Sequence, residues 1–80
     1  MKTDLILARV GMNMEEATIT KWRKQPGESF QAGETIYDIE TDKVTYEVDA
    51  QFAGTLVEIK VQEGEVAQVG QAVGLADQLA

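Results

Sequence analysis

The chain has 80 residues, 44% apolar and 26% charged, with 14 acidic against 7 basic side chains and a formal net charge of −7. One globular domain over residues 1–80 is expected, near the lower size limit for a self-sufficient core. The absence of His and Cys excludes a Ser-His-Asp or Cys-His nucleophile, imidazole and thiolate metal sites, and disulfides.

The negative charge argues against nucleic acid and anionic membranes as partners. The early apolar run, Leu5-Ile6-Leu7-Ala8, follows Asp4 and is far too short for a span or signal segment. The expected compartment is the cytoplasm, of bacterial type.

In chain order, Leu5–Val10 reads as a first strand and Gly11-Met12-Asn13-Met14-Glu15-Glu16 as a loop. Ala17–Trp22 is a second strand, and Ser29-Phe30 allows only a very short one. Tyr37 and Ile39 alternate with Asp38 and Glu40, and Tyr46 and Val48 alternate with Glu47 and Asp49. Such period-two patterns mark half-buried antiparallel strands. Val57, Ile59 and Val61 alternate in the same way with Glu58 and Lys60, which predicts an inward face carrying those three. Val66-Ala67 and Ala72–Ala76 complete the set. Trp22, Phe30, Tyr37, Ile39, Tyr46 and Ile59 are expected in the core.

An internal repeat organises these strands. Residues 18–40 and 55–77 align at a separation of 37, which brings Gly27 onto Gly64 and Gly33 onto Gly70. Four quartets share one form: Gln25-Pro26-Gly27-Glu28, Gln31-Ala32-Gly33-Glu34, Gln62-Glu63-Gly64-Glu65 and Gln68-Val69-Gly70-Gln71. Glycine in third place supplies the positive φ of a type II turn, and Pro26 pre-sets the preceding φ. Two copies are too few for a solenoid. They predict an all-β sandwich or flattened barrel whose halves are related by a pseudo-twofold axis.

The segment Tyr37–Val48 predicts a hairpin with Asp42-Lys43 as a two-residue turn. That register pairs Ile39 with Tyr46 and Tyr37 with Val48, placing all four on one face. Asp38, Glu40, Thr45 and Glu47 then share the wet face, and a one-residue slip would destroy the agreement. No Asn-Gly or Asp-Gly is present, and Lys43 resists positive φ, so a type I geometry is favoured over I′. Lys43 becomes an exposed tip. Most turn lysines are simply solvated cations, and a lysine amine is largely protonated at neutral pH. A reaction at Lys43 therefore needs a separate enzyme that removes its proton and supplies an activated acyl donor.

Glu40-Thr41-Asp42-Lys43-Val44 resembles the modification motif of lipoyl domains, in the dihydrolipoamide acyltransferase (E2) component of 2-oxo acid dehydrogenase complexes. Gly11–Ile19 is similar to the first loop and second strand of that family, and Lys21-Trp22, Gly27, Gly33-Glu34 and Gly54 fit its spacing. The resemblance covers essentially the whole chain. Arg9-Val10 stand where the family often has a Pro before the loop Gly, and Ala50-Gln51 where it often has Ala-Pro; neither departure touches Lys43.

The resemblance implies a flattened barrel of two four-stranded antiparallel sheets with quasi-twofold symmetry. It implies lipoate joined by an amide to Lys43, and a swinging arm that is non-catalytic in itself. The arm would carry acyl groups and reducing equivalents among three components of a pyruvate-, branched-chain- or acetoin-type complex. These are a thiamine-diphosphate decarboxylase (E1), the acyltransferase (E2) and dihydrolipoamide dehydrogenase (E3). A lipoate ligase or lipoyl transferase would attach the cofactor. Asp42 and Val44 would be read by that ligase, with Glu40 contributing acidic steering, and Met12, Asn13 and Met14 would help the decarboxylase choose its partner. The isolated domain is expected to be a monomer.

Rival readings are a biotinyl carrier domain of a carboxylase, an unmodified lipoyl-like interaction module and a calcium loop beginning Asp38-x-Glu40-x-Asp42. Biotin attachment normally goes with Met-Lys-Met, whereas this chain has Asp42-Lys43-Val44. The calcium loop fails because Lys43 stands where the loop needs Gly and Asp49 where it needs Glu.

Overall fold

The structure, a computed structural model, describes residues 1–8 and 14–79. Eight strands follow in order: β1 Lys2–Ile6, β2 Glu16–Trp22, β3 Ser29–Phe30, β4 Thr35–Glu40, β5 Thr45–Asp49, β6 Gly54–Ile59, β7 Val66–Gln68 and β8 Ala72–Gln78. They form two four-stranded antiparallel sheets, ordered β1-β8-β6-β3 and β5-β4-β2-β7. No helix interrupts them among the described residues.

The predicted turns organise the chain as expected. Gly27, Gly33, Gly64 and Gly70 have φ of 96°, 90°, 88° and 91°, where a Cβ would strain the backbone. In each quartet the fourth residue's N–H donates to the first residue's carbonyl, at 2.9–3.1 Å.

The repeat becomes a symmetry of hydrogen bonds. Gly27 N–H donates to the Leu56 carbonyl, and its mate Gly64 donates to the Ile19 carbonyl, both at 2.7 Å. Leu56 N–H donates to Glu28, and Ile19 N–H to Glu65, both at 2.9 Å. Exchanging β1 with β5, β8 with β4, β6 with β2 and β3 with β7 turns one sheet order into the other.

One core lies between the sheets. Ile19, Trp22, Phe30, Tyr37, Ile39, Leu56, Val61 and Val73 are buried there. Trp22 donates its indole N–H to the Val61 carbonyl at 2.8 Å and lies 4.8 Å from Tyr37, centroid to centroid. Burial pushes the Tyr37 phenol up to about 12.

Three expectations are corrected. The first strand is Lys2–Ile6 rather than Leu5–Val10, because antiparallel pairing with β8 begins at Lys2↔Asp77; Arg9 and Val10 lie outside the described residues. In β6 the inward residue is Leu56, at 0% exposure, while Val57 is exposed. A bulge between Leu56 and Glu58 resets the alternation. Tyr46 is on the expected face but exposed, since β5 is an edge strand and nothing among the described residues covers its outer side.

Candidate functional site

The β4–β5 hairpin has the predicted register: Tyr37↔Val48, Asp38↔Glu47, Ile39↔Tyr46 and Glu40↔Thr45. Ile39 and Tyr37 are buried and Val48 packs against the core, so the inner face anchors the ladder. Asp42 and Lys43 form the exposed tip. No non-glycine residue among those described has a positive φ. The tip is therefore not a type I′ turn.

Thr41 holds the tip. Its N–H donates to the Val44 carbonyl at 2.8 Å. Its Oγ1 accepts from the N–H of Lys43 at 3.3 Å and of Val44 at 3.2 Å. The same hydroxyl donates to the Val44 carbonyl at 3.2 Å. A threonine in this position uses its side chain as a local turn brace.

The Lys43 side chain projects from this brace with no ion-pair or hydrogen-bond partner among the described residues. Asp42 and Val44, its neighbours, are exposed, and so is Glu40. Glu40 and Asp42 carry no salt bridge among the described residues. Together with Glu16, Ala17, Thr18 and Thr41 they line a shallow open depression beside the tip. Thr18 reaches it because β2 pairs with β4 through Thr18↔Glu40.

The rest of the wet face is less free than the sequence implied. Asp38 and Glu47 stand directly opposite one another, an unfavourable pairing of like charges. Arg23 relieves it, with Nη2 2.7 Å and Nε 3.1 Å from Asp38 Oδ2. The hydrogen bond and charge of Asp38 raise the Arg23 guanidinium further above its ordinary value, and Glu47 adds to this. Thr35 Oγ1 donates to Asp49 at 3.0 Å and lies 3.4 Å from Glu47.

Of the loop residues expected to meet a partner, Met12 and Asn13 lie outside the described residues. Met14 is buried in the core at 8% exposure. Its side chain packs in the shared core between the sheets. Thr41 and Thr18 are the residues at this site whose roles sequence reasoning missed. A threonine two places before a turn residue is a recognisable brace signal.

Three comparisons bear on this geometry. Residues 3–75 match the family model described as "Biotin-requiring enzyme", the biotin/lipoyl attachment family. The chain is 40% identical over 74 residues to the dihydrolipoyllysine-residue succinyltransferase component of the 2-oxoglutarate dehydrogenase complex of Rickettsia conorii. That match covers 92% of the chain and 19% of the relative. It is 34% identical over 73 residues to the dihydrolipoyllysine-residue acetyltransferase component of the acetoin cleaving system of Bacillus subtilis, covering 91% and 19%. The chain thus spans about a fifth of the length of these curated relatives.

Among solved structures, the lipoyl domain of the 2-oxoglutarate dehydrogenase complex from Azotobacter vinelandii superimposes with a TM-score of 0.76. It is 35% identical, with 94% of this chain and 95% of that one covered. A single-chain long-chain acyl-CoA carboxylase shares the fold, with a TM-score of 0.81 at 18% identity over 99% of this chain and 7% of that one. A match over residues 3–75, joined to end-to-end likeness with an isolated lipoyl domain, means that this chain belongs to the biotin/lipoyl attachment family, among its lipoyl domains.

Proposed function

We propose that the chain is a carrier domain whose Lys43 amine bears lipoate through an amide. The observation that carries this reading is an exposed lysine, unpaired among the described residues, at a braced two-residue hairpin tip flanked by Asp42 and Val44. The donor chemistry fits. An amine clear of salt bridges can enter the active site of an attaching ligase, while the anchored ladder behind it fixes the approach. When bound, lipoate supplies a dithiolane for acyl and electron transfer; the chain's own residues supply orientation and recognition.

The partners follow from the same reading. They are a lipoate ligase or lipoyl transferase, then the decarboxylase, acyltransferase and dihydrolipoamide dehydrogenase components of a 2-oxo acid or acetoin-type complex. Tethering on a domain raises the arm's local concentration at each active site. Glu40 and Asp42 give the approach a negative face, which favours partners with cationic entrances.

The test is intact mass after incubation with lipoate ligase, lipoate and ATP, with Lys43→Arg as control. One lipoyl-sized step is expected in the parent chain and none in the variant. The step also deletes one positive charge, so anion exchange retains the product longer. A step with biotin ligase and biotin instead would reassign the domain to a carboxylase. No step with either would leave an unmodified interaction module.

A further inference from the structure

We propose that the Thr41 hydroxyl is a positioning residue for modification of Lys43, presenting the amine to the attaching enzyme in one geometry; the inference rests on the carrier reading above.

The observation is the way the tip is closed. Two-residue hairpin loops normally close through type I′ or II′ turns, whose twist matches the flanking strands. Both need positive φ, and Asp42 and Lys43 have none. The Val44 N–H that a simple turn would direct to the Thr41 carbonyl instead reaches Thr41 Oγ1 at 3.2 Å, and the Lys43 N–H converges on the same oxygen at 3.3 Å. The hydroxyl hydrogen returns to the Val44 carbonyl at 3.2 Å. A hydroxyl has one donor and two acceptor positions, and all three are committed to the two residues that follow the tip's midpoint. Each contact is long and individually modest. Together they tie the backbone of Lys43 to the β4 end of the ladder.

The consequence for the reaction arises at the tip, not in the core. The inner ladder is anchored by Tyr37, Ile39 and Val48 in the core, whereas Thr41 lies outside it, at the exposed end. In the attachment step the Lys43 Nζ–C bond forms as the bond between the lipoyl carbonyl and the phosphate of the ATP-derived lipoyl adenylate breaks. AMP leaves, and the amine's proton passes to ligase or solvent. This requires Nζ within about 3–3.5 Å of the carbonyl carbon. A tip that samples several conformations presents the competent one only part of the time, and apparent affinity falls by that fraction.

The test uses Thr41→Val, which keeps the β-branched shape and removes the hydroxyl, and Thr41→Ser, which restores it. Lipoylation rates are measured against protein concentration with lipoate ligase, lipoate and ATP. Thr41→Val should raise KM about fivefold to tenfold, as the loss of roughly one net hydrogen bond implies, with kcat nearly unchanged and the thermal midpoint lower by no more than that bond accounts for, about 4–8 °C. Thr41→Ser should return KM to within about twofold of the parent. Amide exchange, read by NMR on the unmodified proteins, should quicken at Lys43 and Val44 in Thr41→Val and not at Ile39 or Tyr46. Parent-like KM in Thr41→Val, or a KM defect that Thr41→Ser does not repair, overturns the proposal. A parent chain that takes no lipoate overturns the carrier reading itself, and the exchange data then separate that failure from a tip that was never braced.

Discussion

Glu34 shows how one residue can serve a turn twice, once through its backbone and once through its side chain. Its N–H closes the turn on the Gln31 carbonyl at 3.0 Å, and its carboxylate accepts the Gln31 N–H at 2.7 Å. Glu28 and Glu65 cap Gln25 and Gln62 in the same way, and Gln71 caps Gln68 through its amide oxygen at 3.0 Å. The recurrence of Glu or Gln in fourth place therefore has a cause beyond the glycine before it, one that the turn-type argument alone does not reveal. The Gln31 backbone N–H, helped by Lys24 at 3.0 Å, holds the Glu34 carboxyl below its ordinary value of 4.5. A depressed folded value means that the stabilisation is present above the ordinary value and fades as pH falls through the folded one. Glu34→Gln should keep the cap, as Gln71 does, yet lose the ionic part. Its melting temperature should lie slightly below the parent's at neutral pH, and the gap should close on acidification past the ordinary value. Thermal scans by circular dichroism from neutral to acid would reveal this; a gap independent of pH would show that charge plays no part.

At the scale of elements, strands and turns were legible, and so was the register of the hairpin that carries Lys43. Parity did the work there: a one-residue slip would turn Tyr46 and Val48 to the face opposite Tyr37 and Ile39. The same reasoning failed in β6. A bulge after Leu56 inserts a residue and turns Val57 outward, and no local pattern announces it. Tyr46 failed for a different reason, because sheet order decides which inward-facing residues are covered, and order is a long-range property. Gly54 is another case in which the neighbour decides. Its repeat mate is Ala17, so a methyl group is accommodated in one half. In the other half a Cβ on Gly54 would sit 2.5 Å from the Asp77 carbonyl oxygen, which is backbone and cannot step aside. Gly54→Ala should therefore push β6 from β8 and cost about 1–3 kcal/mol. Gly27→Ala meets open space but forces a Cβ onto φ 96°, which costs about 1–2 kcal/mol by backbone strain alone. Urea denaturation gives both costs, and amide exchange separates them: only Gly54→Ala should expose Thr55 and Leu79, whose N–H donates to the Ala53 carbonyl at 3.0 Å. Equal protection at those amides in the two variants would remove the steric explanation.

At the scale of the molecule, the pseudo-twofold axis does not divide the chain into two separately foldable halves. β3, from the first repeat, completes the sheet of β8 and β6; β7, from the second, completes the sheet of β4 and β2. The turn bonds cross in the same way, Gly27 to Leu56 and Gly64 to Ile19. Ile19 and Leu56 are both fully buried in the shared core. A truncation in either repeat should thus be felt by both. Leu56→Ala should cost about 2–5 kcal/mol, the range for a buried leucine that leaves a cavity. Its unfolding should remain a single transition. Trp22, in the first repeat, reports locally through fluorescence, since its indole is buried and bonded to Val61. Far-ultraviolet circular dichroism reports on all eight strands. In urea the two probes should trace superimposable curves for the parent and for Leu56→Ala, shifted together to lower midpoint without change of slope. A Trp22 curve that stays at the parent midpoint while the dichroism shifts would mean that the first repeat survives the loss of the second. A carrier tip braced on β4 would then be insulated from damage in β6. Coincident curves would mean that the presentation of Lys43 depends on the closure of the entire barrel.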